Sequence, residues 1–151
     1  MKLPPGLQNL GNTCYMNATL QCLRAIPELQ TCLATISETM GADSRRNIPI
    51  SLRELFKELT KTGEPVMPMV FLTILQTAFP QFGERGGRGG GFMQQDAEEC
   101  WVNLITCLRD IVPGLTKDGQ AVKDKNFVDQ FMTADVLTTC VLLSSSSTAL
   151  R

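Results

Sequence analysis

The sequence predicts a mainly α-helical fold, and three observations carry that expectation. Apolar residues recur at spacings of three and four through five separate segments. Prolines and glycines stand between those segments, where helices have to stop. Strand-like composition is confined to one late stretch, Val136 to Leu143. With 151 residues, 43% hydrophobic and 19% charged, the chain is enough for one globular core.

Pro4-Pro5-Gly6 is extended or turn-like, because proline disfavours helix in the residue before it. The first helix runs from Thr13 to about Ile26, placing Met16, Leu20, Leu23 and Ile26 on one face. Asn12 or Thr13 offers a side-chain oxygen as its cap. Pro27 suits the first turn of a second helix that reaches about Ile36. Residues 40–47 read as a polar loop, and a third helix follows from about Pro49 to Lys61. Ile48, Leu52, Leu55, Phe56 and Leu59 share its apolar face, and Gly63 and Pro65 end it. A fourth helix spans about Pro68 to Phe79, with Val70, Phe71, Ile74, Leu75 and Phe79 as its stripe.

Gly83 to Gly91 reads as a flexible surface loop. Arg85 and Arg88 within it invite an arginine-glycine RNA-binding reading, but a single short copy without interleaved aromatics makes a poor footprint. The fifth helix begins at Asp96, with Glu99 three residues on as in a capping box. Ala97, Cys100, Trp101, Leu104, Ile105, Leu108 and Ile111 form its stripe, and Pro113-Gly114 ends it. Residues 114–126 read as a polar linker, Phe127 to Leu143 as either helix or strand, and Ser144 to Ser147 as low complexity.

A net charge of −1 gives no general attraction to nucleic acid or to an acidic membrane. There is no apolar run of about 18 residues, and Met1 to Gly6 lacks the apolar core of a signal peptide, so a soluble protein of the cytoplasm or nucleus is expected. The six cysteines include no CxxC pair, and there is no histidine, so no zinc site of mixed ligands, metal or cofactor is implied. A disulfide framework is possible by count but lacks a secretory signal to support it. Cys22, Cys32, Cys100 and Cys107 fall among apolar neighbours in helical patterns and read as small core hydrophobes.

Cys14 differs. It lies at the first turn of a helix, just past Gly11, which permits a positive φ or close backbone packing. Unpaired N–H groups at a helix N-terminus favour thiolate over thiol. Asn9, five residues upstream, could aim its amide N–H at an oxygen developing charge beside the sulfur. An ordinary capped helix with a cysteine in its first turn looks similar, and the residues alone leave both readings open. In Phe92 to Cys100, Gln94, Gln95 and Asp96 stand at the mouth of a helix, where they could bind an extended peptide or an arginine, or simply cap and be solvated.

Taken together, the two segments narrow the choice. Gly6 to Asn17 resembles the cysteine box of the ubiquitin-specific proteases, and Gln94 to Trp101 resembles that family's glutamine box, in the right order and at the right separation. Pro27-Glu28-Leu29, Ala78 to Phe82, Glu99-Cys100-Trp101 and Asp129-Gln130-Phe131 are most similar to its proteasome-associated branch. The resemblance runs from about residue 3 to Phe131. It implies a thiol-dependent ubiquitin hydrolase with Cys14 as nucleophile, Asn9 in the oxyanion hole, and Gln94 and Asp96 on the ubiquitin C-terminal tail. Gly11, Asn12, Thr13 and Gln95 would be scaffold. The implied partners are ubiquitin, its conjugates and, for the full-length relative, the proteasome, with no nucleic acid and no membrane.

The family fold is a papain-like hand of thumb, fingers and palm. The resemblance makes residues 1–131 the helical thumb plus the strand that begins the next region, with the β-rich fingers and the palm missing. The palm supplies the family's histidine and its orienting carboxylate or amide, so this chain alone is expected to be inactive. A non-catalytic ubiquitin- or protein-binding fragment is the alternative. Residues 132–151 read as a divergent tail, with Val141 to Arg151 resembling an out-of-frame or alternative-exon ending.

Overall fold

A computed structural model describes residues 5–87 and 90–134, and it is mainly helical. α1 spans Cys14–Arg24, α2 Pro27–Ala34, α3 Ser44–Lys61, α4 Met69–Ala78, α5 Ala97–Ile111 and α6 Phe127–Phe131. A one-turn 3-10 helix, Pro80–Gly83, follows α4. Two antiparallel strands, β1 Pro113–Leu115 and β2 Ala121–Asn126, lie between α5 and α6. The stretch of strand-like composition at Val136 to Leu143, Cys140 and the low-complexity tail lie outside the described residues.

α3 is the central element, packing on α2, α4 and α5. Its apolar face buries Ile48, Leu52, Leu55, Phe56 and Leu59, as the periodicity predicts. Met16, Leu20 and Leu23 of α1, Leu29 and Leu33 of α2, and Cys100, Leu104 and Leu108 of α5 close the same core. Each large side chain so buried contributes roughly 1.5–3 kcal/mol of transfer free energy.

The helix α3 starts five residues before Pro49, although proline normally breaks a helix past its first turn. The Asp43 carboxylate outweighs that local preference by accepting from the N–H groups of Arg45 (3.0 Å) and Arg46 (3.4 Å). Asn47 adds a clamp, exchanging two 2.8 Å hydrogen bonds with the backbone of Gly41. Burial of Ile48, Pro49 and Ile50 completes the balance. Residues 44–47, expected in a loop, are therefore helix.

On α4 the buried stripe is Phe71, Leu72 and Leu75, followed by Phe79, while Val70 faces solvent. Pro68 precedes the helix as its N-cap instead of entering it. Cys22 is exposed on α1, whereas Cys32, Cys100 and Cys107 are buried as expected. Helical spacing puts Cys22 one position off the Met16, Leu20 and Leu23 face.

The expected polar linker at 114–126 contains the β1–β2 pair instead, with Pro113 opposite Asn126, Gly114 opposite Val122, and a bulge between Pro113 and Gly114. Gln130 of α6 locks it, its Oε1 accepting from Leu115 N at 2.7 Å and its Nε2 donating to Leu115 O at 2.8 Å. That side chain passes so close over Gly114 that a Cβ there would collide with Gln130 Oε1. The glycine-rich stretch is also more ordered at its base than a free loop, since Arg85 and Phe92 form an antiparallel bridge. Met93 N donates to Glu84 O and Gly86 N to Gly91 O, both at 2.9 Å.

Candidate active site

Residues 6–8 approach α1 as a short extended strap. Leu7 bridges Val66 in parallel, with Gln8 N donating to Val66 O at 2.8 Å and Val66 N to Gly6 O at 2.9 Å. Asn17, one turn into α1, holds the other side by donating Nδ2 to Gln8 O at 3.1 Å and Leu7 O at 3.5 Å. The chain then reverses through Gly11 (φ 92°) and Asn12 (φ 53°). Gly11 needs its missing Cβ for that φ, and asparagine is among the few other residues that adopt one like it.

The cap differs from the expected one. Thr13 is the N-cap residue of α1, yet neither its hydroxyl nor the Asn12 amide accepts from the first turn. Asn9 organises the turn instead. Its Oδ1 accepts from Gly11 N (3.0 Å), Thr13 N (3.2 Å) and Thr13 Oγ1 (3.1 Å). Two of those donors are backbone N–H groups, which only oxygen can accept, so the orientation of the amide is settled by its partners. Asn9 Nδ2 therefore faces away from the turn and makes no hydrogen bond among the described residues. Cys14 is the first residue of α1 and is exposed.

The second predicted segment meets the first directly. Asn12 Nδ2 donates to Phe92 O at 2.8 Å, across 80 residues of sequence. Phe92 is half-buried and carries the Arg85 guanidinium 5.2 Å from its ring centroid. Deeper in, the Thr19 hydroxyl lies 2.9 Å from Tyr15 O and 3.4 Å from Ala97 O, which joins α1 to the start of α5. The Tyr15 ring stacks on Phe82 with centroids 5.5 Å apart. Burial, followed by the nearby Cys100 and Cys14 thiols, pushes the Tyr15 hydroxyl up to about 12.

Among the polar residues of the second segment, Gln95 is structural, its Nε2 donating to Gln81 O at 2.8 Å. Asp96 caps α5 by accepting from Glu98 N at 2.7 Å. The expected capping box is half formed, because the Glu99 carboxylate turns to Gln81 Nε2 at 3.2 Å. Gln94 is exposed and has no hydrogen bond among the described residues, so it is available to a ligand, as is the second oxygen of Asp96. Asn9, Asn12, Cys14 and the Phe92 carbonyl thus form one surface region bordered by Gln94 to Asp96. The apolar groove of about 230 Å³ between α2 and α3, lined by Leu33, Phe56 and Lys57 among others, contains none of them.

Sequence reasoning missed Asn17 and Thr19. Both are polar residues inside a helical pattern, which is a weak signal because such residues usually face solvent. Burial raises the Cys100 thiol to about 12, and those of Cys32 and Cys107 to about 11. At neutral pH those three are inert packing groups.

Residues 5–146 match the family described as ubiquitin carboxyl-terminal hydrolase. The chain belongs to that family. It is 42% identical over 123 residues to ubiquitin carboxyl-terminal hydrolase 7 of Arabidopsis thaliana, covering 78% of this chain and 25% of the relative. It is 44% identical over 106 residues to ubiquitin carboxyl-terminal hydrolase 6 of Schizosaccharomyces pombe, covering 70% of this chain and 21% of the relative. Hydrolase 6 of Arabidopsis thaliana is 40% identical over 124 residues, with 78% and 25% covered. The hydrolase-family chain described here thus spans about a quarter or less of the length of these relatives.

Proposed function

We propose that this chain carries the nucleophile-bearing part of a thiol-dependent ubiquitin hydrolase, corresponding to the helical thumb of a hand-shaped fold over residues 1–131. Cys14 Sγ attacks the carbonyl carbon of ubiquitin's C-terminal glycine, and negative charge develops on the carbonyl oxygen. Asn9 Nδ2 donates to that oxygen. Gln94 and Asp96 engage the extended tail, the amide pairing with peptide groups and the carboxylate with an arginine. In the whole protein the conjugates cleaved would be those at the proteasome, in the cytoplasm or the nucleus. The observation that carries this reading is the 2.8 Å bond from Asn12 Nδ2 to Phe92 O, which unites the two predicted segments beside an exposed Cys14. Family membership supports the substrate class.

The sequence holds no histidine, so the chain has no imidazole to take the thiol proton or to protonate the leaving amine. This observation favours a second reading for the isolated chain, a ubiquitin-binding module without turnover. Ubiquitin bearing a C-terminal electrophile distinguishes the two. Covalent labelling at Cys14, lost in Cys14→Ser, is the expected result. Absence of labelling together with measurable binding of free ubiquitin would leave only the binding module. Neither labelling nor binding would sink both.

A further inference from the structure

We infer that Thr13 is a positioning residue that fixes the direction of the Asn9 amide, an inference resting on the reading of Asn9 as oxyanion donor. Thr13 is 1% exposed, whereas Asn9 is exposed, so water competes for the Asn9 amide and an internal clamp has to hold it. The Thr13 hydroxyl has one proton. Leu10 N donates to Oγ1 at 2.9 Å, and because Asn9 Oδ1 can only accept, the Thr13 proton is the donor in the 3.1 Å contact with it. Thr13 N adds a second donor to the same oxygen at 3.2 Å. Turning the amide over would set its NH₂ group against Thr13 N and Gly11 N, donor against donor. The Thr13 hydroxyl therefore reinforces the amide direction that the backbone N–H groups of Gly11 and Thr13 set, holding Nδ2 free from the position next to Cys14.

The test uses the full chain and two thiol reagents. A Leu-Arg-Gly-glycinal peptide adds the Cys14 sulfur to its aldehyde carbon. The C=O π bond breaks, the thiol proton ends on the former carbonyl oxygen, and that oxygen faces Asn9 Nδ2. Iodoacetamide instead forms an S–C bond with loss of iodide and develops no such oxygen. Thr13→Val is expected to weaken the aldehyde adduct about five- to tenfold, the worth of one hydrogen bond. The iodoacetamide rate should stay within about twofold, and Thr13→Ser should restore the adduct, since it keeps the hydroxyl. In an Asn9→Ala background Thr13→Val should add no further loss, because the two residues then act through one interaction.

If Asn9→Ala weakens the adduct and Thr13→Val does not, the Thr13 assignment fails alone. If Asn9→Ala leaves the adduct unchanged, or the unmodified chain forms none, the oxyanion reading fails and takes this inference with it. Equal losses with both reagents would mark Thr13 as merely structural and overturn the assignment. Should Thr13→Val not fold, side-chain couplings in the unmodified chain decide. A coupling across the hydrogen bond from Thr13 N to the Asn9 side-chain carbonyl carbon, with a slowly exchanging Thr13 hydroxyl proton, is expected, and a freely exchanging hydroxyl proton would overturn the inference.

Discussion

Asn9, Thr13 and Asn17 give the cysteine segment its shape, each using a side-chain amide or hydroxyl to hold the backbone between the Leu7–Val66 bridge and α1. The thiols show the converse. Cys14 and Cys22 are exposed while Cys32, Cys100 and Cys107 are buried, so iodoacetamide followed by peptide mass mapping should modify the first two well before the others. Comparable rates at Cys100 in the native protein would contradict the core packing. The buried groups also set an alkaline limit. Tyr15 is raised from 10.0 to about 12, Cys100 from 9.0 to about 12, and Cys32 and Cys107 from 9.0 to about 11. Above pH 9 the unfolded chain loses these protons first. The stability they contribute is complete below pH 9 and is lost as pH rises toward 11–12. Thermal midpoints should therefore fall steadily from pH 9 to pH 11, and a flat profile across that range would refute the assignment. At this scale the candidate roles of Cys14, Asn9, Gln94 and Asp96 are proposed from sequence because their residue types and order form two local motifs. The amide direction of Asn9 is not legible there, since it depends on three donors that converge only after the turn has folded.

Element boundaries follow from caps and clamps more than from periodicity. Asp43 is the reason α3 begins at Ser44 despite Pro49, so Asp43→Ala should cost about 0.5–2 kcal/mol and lower the thermal midpoint by a few degrees. An unchanged midpoint in Asp43→Ala would mean that burial of Ile48 and Ile50 alone carries that first turn. The β1–β2 pair was invisible beforehand because its residues lack alternation and its lock, Gln130, comes from α6. Gly114→Ala should drive Gln130 off Leu115 and cost on the order of 1–3 kcal/mol, while Gln130→Ala in the same chain should relieve part of that loss. Strictly additive effects in this pair would show that the clash is not with Gln130. The long apolar stripes of α3 and α5 were legible for the opposite reason. Each buries one face against several partners, so sequence spacing and tertiary packing agree.

One continuous apolar cluster draws on each of α1 to α6, which predicts a single cooperative unfolding transition for the chain as it stands. Exposed Val70 and Met67, at 63% and 53%, mark where a further surface could pack, but they lie outside that cluster. A broad, non-cooperative melt would show that the cluster cannot hold the chain alone. Folding and turnover then come apart. A folded chain retains Cys14 at the start of α1 and the fixed Asn9 amide, which suffice for a thiol to meet a strong electrophile. Amide or ester hydrolysis needs more, because the thiol proton must leave and the leaving group must be protonated, and no histidine is present to do either. Removing one member of a comparable protease triad costs on the order of 10⁴- to 10⁶-fold. With ubiquitin carrying a C-terminal fluorogenic amide, release above that of Cys14→Ser should therefore be undetectable, under conditions where an electrophilic ubiquitin labels the unmodified chain. Turnover well above the Cys14→Ser background would require a base from another side chain, and the assignment of this chain as the nucleophile-bearing part alone would have to be abandoned.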